Sequence, residues 1–384
     1  MDGGCQRMLS LLKAIYAPLA PPHWSLVTSH SSLVTRHSSL VTNHSSLLFV
    51  LCLAIMLGAS DVLVRGLDRL GGRLRLSEGL LGLLTALGAD APEIAAAVAA
   101  LHAGARDVGL GVALGSNLFN LAALLGLGAV LAGHVRVHRE GLILDGGVAL
   151  AATLVVALLL FRLVPPLPAL LLLALLLIPY VVVLGLPPRR LIRLRLPGRL
   201  ASALAIAVSE VDHETAEDPR VGEAARIATS PTRGSWLVVW LIPVALAAIV
   251  AGSVGLVDAA LTLSRAIGAP RPLVGIVVLA GLTSLPNAYA AARLALQGRG
   301  AAVVSETLNS NTINALAGVA LPALVFGVSA VAAATVFEVG WLLGMTALIL
   351  VLLSRRRGLT RRGGVAVILL YLLFVAIQVV ITQV

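Results

Sequence analysis

Two stretches of this chain match each other at an offset of 194 residues, and each puts a proline and an asparagine-rich cluster inside long apolar sequence. The first reads Gly88-Ala89-Asp90-Ala91-Pro92-Glu93 and then Gly115-Ser116-Asn117-Leu118-Phe119-Asn120. The second reads Leu282-Thr283-Ser284-Leu285-Pro286-Asn287 and then Asn309-Ser310-Asn311-Thr312-Ile313-Asn314. In both, a serine follows the proline by 24 residues and the last asparagine follows it by 28. Apolar segments interrupted at corresponding points in two halves of a membrane chain point to a binding site near the bilayer midplane. The pattern implies a transporter built by duplication.

A bilayer is the right solvent for this composition. With 59% hydrophobic residues, 12% charged residues and a mean hydropathy of +1.00, a chain of 384 residues has too little polar surface to stay in water. Its formal charge of +10 does not argue for nucleic acid, because the arginines fall between apolar runs and aromatic residues are 4%. Loop charge that orients a membrane protein explains it better. Cys5 and Cys52 supply neither a disulfide framework nor metal-ligand spacing.

A hydrocarbon core of about 30 Å requires about 20 apolar residues per helix. Ten segments qualify: 47–66, 77–102, 108–132, 142–161, 165–186, 235–264, 272–297, 301–326, 327–353 and 364–383. An all-α membrane protein with about ten transmembrane helices is expected. If the N-terminus is outside, the inner loops hold 20 basic residues and the outer loops with the N-terminal extension hold seven. That bias places the linker on the cytoplasmic side and both termini outside, in a plasma (inner) membrane. The matching stretches lie on spans two and three and on spans seven and eight. Five spans separate the copies, and an odd number inverts the second relative to the first. The expected plan is therefore two inverted five-helix repeats, 47–186 and 235–384, joined by a linker at 187–234.

Two regions stand outside this plan. Residues 1–46 read as a low-complexity extension, in which Ser-Leu-Val-Thr recurs at 25, 32 and 39 and His30, His37 and His44 fall in register. Serine and threonine richness, missing acids and absent helical patterning favour this reading over a histidine metal site. In the linker, Arg189 to Arg199 suit an anionic inner leaflet, and an acidic run follows from Glu210 to Glu223.

The repeated stretches carry the chemistry. Pro92 and Pro286 each remove a backbone donor and are expected to open their helices, freeing carbonyls near Leu87, Gly88, Leu282 and Thr283 toward a cavity. Glu93 and Asn287 follow the prolines directly, and Asp90 and Ser284 precede them by two. Ser116 with Asn120, and Ser310 with Asn314, are four apart and share a helix face. Carboxylate, amide, hydroxyl and carbonyl oxygens of this kind suit hard cations such as Ca²⁺ and Na⁺. A proline in a span is often a kink, and Ser or Asn often joins helices. A carboxylate at Glu93 is costly there and functional by default, and recurrence at one spacing favours the site.

On these residues the chain resembles the cation/Ca²⁺ exchanger superfamily, whose two inverted repeats carry motifs close to G-T-S-[LA]-P-E and G-S-N-[IL]-F-N. Gly58 to Gly66 and Leu76-Ser77-Glu78 also resemble the family's first span and the turn into the first repeat. The resemblance covers about 48–384. It implies secondary antiport by alternating access, with Ca²⁺ exchanged for Na⁺ or H⁺ and no further cofactor. It makes Glu93 the ion-liganding glutamate of the first repeat, puts Ser116 and Asn120 on that repeat's other site positions, and puts Thr283, Ser284, Ser310 and Asn314 on those of the second. The chain departs from the pattern at Asn287, which stands for the second glutamate, and at Asn314, an amide where a carboxylate sometimes occurs. Asp90 replaces a small polar residue, and Ala89 a hydroxyl. Negative charge has moved to one half, so Glu93 and Asp90 are the carboxylates expected to meet the transported cation.

One further acid bears on this. Glu306 precedes Ser310 by four residues and Asn314 by eight, about 6 Å along the axis from Ser310. Its counterpart in the first half is Val112. It either pairs with Arg299 or water at the cytoplasmic end of its span, or lines the ion pathway and restores charge lost at Asn287. Asp61, Asp145, Asp258 and Glu338 are expected to pair with arginines or to lie near interfaces. The partners expected are inorganic cations and the lipid bilayer, with no nucleic acid and no protein partner evident. An H⁺-coupled or monovalent-cation antiporter is the alternative. No nucleophile, base and orienting group recur together, which disfavours an enzyme; a non-transporting membrane scaffold is the reading from a different class.

Overall fold

Long apolar runs bounded by Gly, Pro and Arg become helices, because in hydrocarbon only intrahelical bonds satisfy the backbone. The computed structural model describes residues 24–74, 78–186, 202–207, 235–328 and 333–383. The helices are α1 (Trp24–Leu74), α2 (Glu78–His102), α3 (Arg106–Ala132), α4 (Arg139–Leu160) and α5 (Pro166–Gly185) in the first half. In the second half they are α6 (Ser235–Ile267), α7a (Arg271–Thr283), α7b (Leu285–Leu296), α8 (300–326), α9 (Ala333–Leu353) and α10 (Arg361–Gln383). Residues up to Leu47 form one unit and Leu48–Val384 another. The site described below belongs to the second. Most of the linker 187–234, with its basic and acidic runs, lies outside the described residues.

Three expectations change. Eight of the described helices are long and apolar enough to cross a membrane, and α7a with α7b makes a ninth if the bent pair counts as one span. The tenth, α8, is long enough but carries Glu306, Thr307, Asn309, Ser310, Asn311, Thr312 and Asn314 in its first half. Its polarity is the site's. Next, helix begins at Trp24, inside the segment read as low-complexity and unpatterned. A seven-residue unit is close to two helical turns, so a heptad is compatible with helix whatever its composition.

The third change concerns the prolines. Pro286 stands in the first turn of α7b, just past a break at Ser284, and the two halves of α7 meet at a bend of 48°. Pro92, by contrast, lies inside an uninterrupted α2. A proline at 92 has no N–H for the carbonyl four residues earlier. That carbonyl, Gly88 O, accepts instead from the Ser60 hydroxyl of α1 at 3.3 Å. A donor from a neighbouring helix thus serves the carbonyl that Pro92 leaves free, and Gly88 O faces α1.

The two halves interlock through small residues and through asparagines. A Cβ on Gly275 of α7a would stand 2.6 Å from the Val108 carbonyl of α3, and one on Gly115 would collide with Ile276. Only glycine lets these backbones come so close. Asn117 Nδ2 donates to Asn311 O, and Asn311 Nδ2 to Asn117 O, both at 3.2 Å. Such reciprocity between residues 194 apart is what an inverted duplication produces. The halves are also joined outside the spans, where β1 (His134–Val135) pairs antiparallel with β2 (Leu359–Thr360).

Helix α3 is almost wholly buried, whereas α5 and α10 expose Leu171, Leu175, Ile178, Leu369 and Leu372. An apolar surface of this kind suits contact with lipid. Immediately after Asn120, and from Asn314 onward, α3 and α8 widen into π-helix, at Leu121–Gly126 and Asn314–Ala320. A third π segment, Val274–Leu279, precedes the break in α7. Such widenings are frequent at functional sites.

Candidate cation-binding site

Helices α2, α3, α7 and α8 bring the repeated residues together away from solvent. Asp90, Glu93, Ser116, Asn120, Thr283, Ser284, Asn287, Ser310 and Asn314 are each at most 1% exposed. The two carboxylates lie one helical turn apart on α2 because it continues through Pro92, so i and i+3 share a face. Around them the second half supplies donors. Asn287 Nδ2 donates to Asp90 Oδ1 at 2.7 Å and to Glu93 Oε1 at 3.1 Å. Ser310 Oγ donates to Asp90 Oδ1 at 2.6 Å, and Asn314 Nδ2 to Glu93 Oε2 at 2.5 Å. Asn120 of the first half donates from Nδ2 to Ser310 Oγ at 2.9 Å.

Thr283 and Ser284 lie differently. Their hydroxyls donate back along α7a, to Leu279 O and Ala280 O at 2.8 Å each. They add a second donor to carbonyls of their own helix, Ala280 O also accepting from Ser284 N at 3.1 Å, and so keep their oxygens as acceptors. Ser116 Oγ is buried beside the Glu93 carboxylate without a well-formed hydrogen bond.

The unpaired atoms of the cluster are all oxygens. Besides Ser116 Oγ they are Asp90 Oδ2, Asn117 Oδ1, Asn120 Oδ1, Asn287 Oδ1 and Asn311 Oδ1. Carboxylates only accept, so the amide nitrogens turn toward them and the amide oxygens are left over. A buried acceptor without a donor is costly, and so is a buried negative charge without a cation. One remedy serves both, a cation bound among oxygens. Among the described residues no three His, Cys, Asp or Glu side chains gather at one place. The donor set is two carboxylates with amides and hydroxyls, hard ligands suited to Na⁺ or Ca²⁺ rather than to softer metals.

Glu306 is nearby without being part of this network. Its Oε2 is buried and has no partner, and the charges of Asp90 and Arg299 both act on it. Of the acids given no role, Asp61 pairs with Arg65 at 2.6 Å on the exposed side of α1. Asp145 accepts from Tyr180 Oη at 2.9 Å. Glu338 is a correction: a glutamine, Gln378, holds it, not an arginine.

Asn117 and Asn311 are the residues that reasoning from site positions passed over. The signal was available in the Ser-Asn pair common to both copies, each a single residue beyond a site serine. Ser60 gave no such signal, since its role appears only once α1 lies against α2.

Comparison with known proteins bears on the family and the fold. The family model described as sodium/calcium exchanger protein matches residues 44–187 and 237–380. CaxA of Alkalimonas amylolytica is 38% identical over 116 residues, 30% of this chain and 36% of that protein. The sodium/calcium exchanger MaX1 of Methanosarcina acetivorans is 32% identical over 85 residues, 22% of this chain and 24% of its own. These matches span 36% and 24% of the relatives' own length. In fold, the chain is similar to the sodium-calcium exchanger NCX_Mj soaked with 2.5 mM Na⁺ and 0.1 mM Ca²⁺, with a TM-score of 0.57 and 19% identity over 86% of this chain and 97% of that one.

Proposed function

Since this chain belongs to the sodium/calcium exchanger protein family, we propose that it is a secondary cation antiporter that exchanges Ca²⁺ for Na⁺ by alternating access at the cluster around Asp90 and Glu93. The observation that carries this reading is the pair of buried carboxylates ringed by oxygens that lack donors. A charge of two is balanced by one divalent ion or by two monovalent ones, which is the arithmetic of exchange at a shared site. At about 4 Å and an effective dielectric near 20, each carboxylate contributes roughly 4 kcal/mol of attraction to a single positive charge, and more to a divalent ion.

The neutral side chains would then act as switches. Asn287 spans both carboxylates through Nδ2 while its Oδ1 is unpaired. Rotating the amide presents oxygen where nitrogen stood, so a cation entering the site gains a ligand as the hydrogen bonds are given up. Asn314 and Ser310 can yield in the same way. Because α2, α3, α7 and α8 all reach the cluster, a shift of one half against the other would expose it to alternate sides, as inverted repeats do in transporters. The arginine distribution supports the linker inside and both termini outside, in a plasma (inner) membrane.

The test is flux into proteoliposomes with Ca²⁺, Na⁺ and pH gradients varied independently. Ca²⁺ uptake driven by an outward Na⁺ gradient is expected, and uptake indifferent to Na⁺ would sink the assignment of the coupling ion. H⁺ in place of Na⁺ is the second reading, favoured by two buried carboxylates facing one amide nitrogen, whose charge protons as well as metal cations can neutralise. A flux driven by a pH gradient alone would establish it.

A further inference from the structure

Glu338 is one of the buried acids that the cation cluster leaves unexplained. Glu338 on α9 and Gln378 on α10 are 4% and 0% exposed, and Gln378 Nε2 donates to Glu338 Oε1 at 2.6 Å. Ion pairs recorded between described residues join Arg65 to Asp61 and Arg271 to Asp107, and neither touches Glu338. The elements packed against α9 are α3, α4, α10 and β2. Their charged residues are Arg106 and Asp107 on α3, Arg139, Glu140 and Asp145 on α4, and Arg361 and Arg362 on α10. Asp107 is held by Arg271, and Asp145 is bonded by Tyr180. The described partner of Glu338 is Gln378 rather than any of these charges. Tyr371 of α10, the other titratable side chain on that helix, sits in an aromatic stack.

A second observation concerns the partner. Gln378 Oε1 is buried without a donor. A carboxylate with no cation and an amide oxygen with no donor are two separate costs in hydrocarbon. One proton removes both. A carboxyl group at Glu338 is neutral, its O–H can donate to Gln378 Oε1, and Gln378 Nε2 still donates to Glu338 Oε1, which makes a reciprocal acid–amide pair.

We infer that Glu338 and Gln378 form a proton-binding site between α9 and α10, separate from the cation cluster, in which Glu338 holds a solvent-derived proton at neutral pH. Packing links this site to the cluster. Phe374, one turn before Gln378, stacks on Phe337 at 5.6 Å and packs on Tyr371 at 6.3 Å. Tyr371 meets Phe119 edge-on at 5.9 Å, and Phe119 precedes Asn120. Loss of the proton puts a bare charge into this stack. The resulting shift bears on Asn120 and through it on Ser310.

Infrared difference spectroscopy on the full chain in liposomes tests the site without any flux. Comparing the unsubstituted protein with Glu338→Gln at neutral pH should show loss of one protonated-carboxyl band, and Gln378→Leu should shift that band rather than remove it. An unchanged band in both variants overturns the proposal, whatever ion the protein carries. Its link to transport is read from flux with equal pH on both sides. As pH rises past the point where the band disappears, flux should decline in the unsubstituted protein and hold in Glu338→Gln, which is neutral at every pH. An equal decline in both would overturn the link.

Discussion

Glu93 and Asn287 hold the same place in the two halves of the duplicated chain, 194 residues apart, and their side chains meet at 3.1 Å. A position at which the repeats differ in charge is thus a contact between them. An acid in one copy and an amide in the other form a hydrogen bond where two acids would repel. Moving the second acid to Asp90 keeps both charges on α2 and leaves the second half to donate.

Replacing Glu93 with Gln keeps its size and removes the charge that offsets cation dehydration. At roughly 4 kcal/mol, the loss corresponds to roughly a thousandfold weaker binding. Cation flux in proteoliposomes should fall to background while the purified protein keeps its melting temperature. Near-normal flux would remove Glu93 from the site.

Asn287→Glu should make folding depend on the cation. Three carboxylates would then crowd where Asn287 Nδ2 now bridges two, and like charges in contact are unfavourable until a divalent ion sits among them. The melting temperature without Ca²⁺ should drop, and the rise on adding Ca²⁺ should exceed that of the unsubstituted protein. Equal responses to Ca²⁺ in the two proteins would mean that Asn287 does not face the ion.

Ser60→Ala should cost about 1–2 kcal/mol of stability. It strips the one described donor from the carbonyl that Pro92 leaves free. Thermal unfolding in detergent measures the loss. A double variant that also changes Pro92 to Ala should recover it, since the helix would regain its own bond to Gly88 O.

Gly275→Ala tests the close approach of α3 and α7a. The new methyl would meet the Val108 carbonyl, part of a backbone that cannot rotate away. A loss of about 1–3 kcal/mol is expected from such overpacking, with a fall in flux because Ser116 and the cluster move with α3. An unaffected protein would show that this contact is loose in the membrane.

Cysteines placed in the linker should react with membrane-impermeant reagents only when the cytoplasmic face is exposed. Labelling from outside intact cells would reverse the assignment of sides and, with it, the orientation of both repeats.

The cluster was legible in the sequence because its residues recur at one spacing, and a duplication displays its own site twice. Asp90, Glu93, Asn287, Ser310, Asn314 and Asn120 come together as that spacing implies. What could not be read depends on partners that no local pattern announces. Ser60 reaches Gly88 across 28 residues and serves the carbonyl that Pro92 frees, and Gln378 reaches Glu338 across 40. The inward turn of the Thr283 and Ser284 hydroxyls follows from a break whose shape appears only in three dimensions. Helix α8 fell below the other spans in hydropathy for the reason that makes it interesting, since its polar face looks at the cluster and not at lipid.

The two copies of the proline motif also differ mechanically. Helix α2 runs straight through Pro92, whereas α7 is jointed at Ser284. A rod transmits a push from one end to the other, and a jointed rod absorbs part of it at the joint. Under the exchange proposed above, halves related by duplication but unequal in continuity would open their two mouths by different motions. The ion gradients still decide how far exchange proceeds. How quickly each mouth would open then rests on a serine at the joint and on the hydroxyl from α1 that serves Gly88 O in the helix opposite.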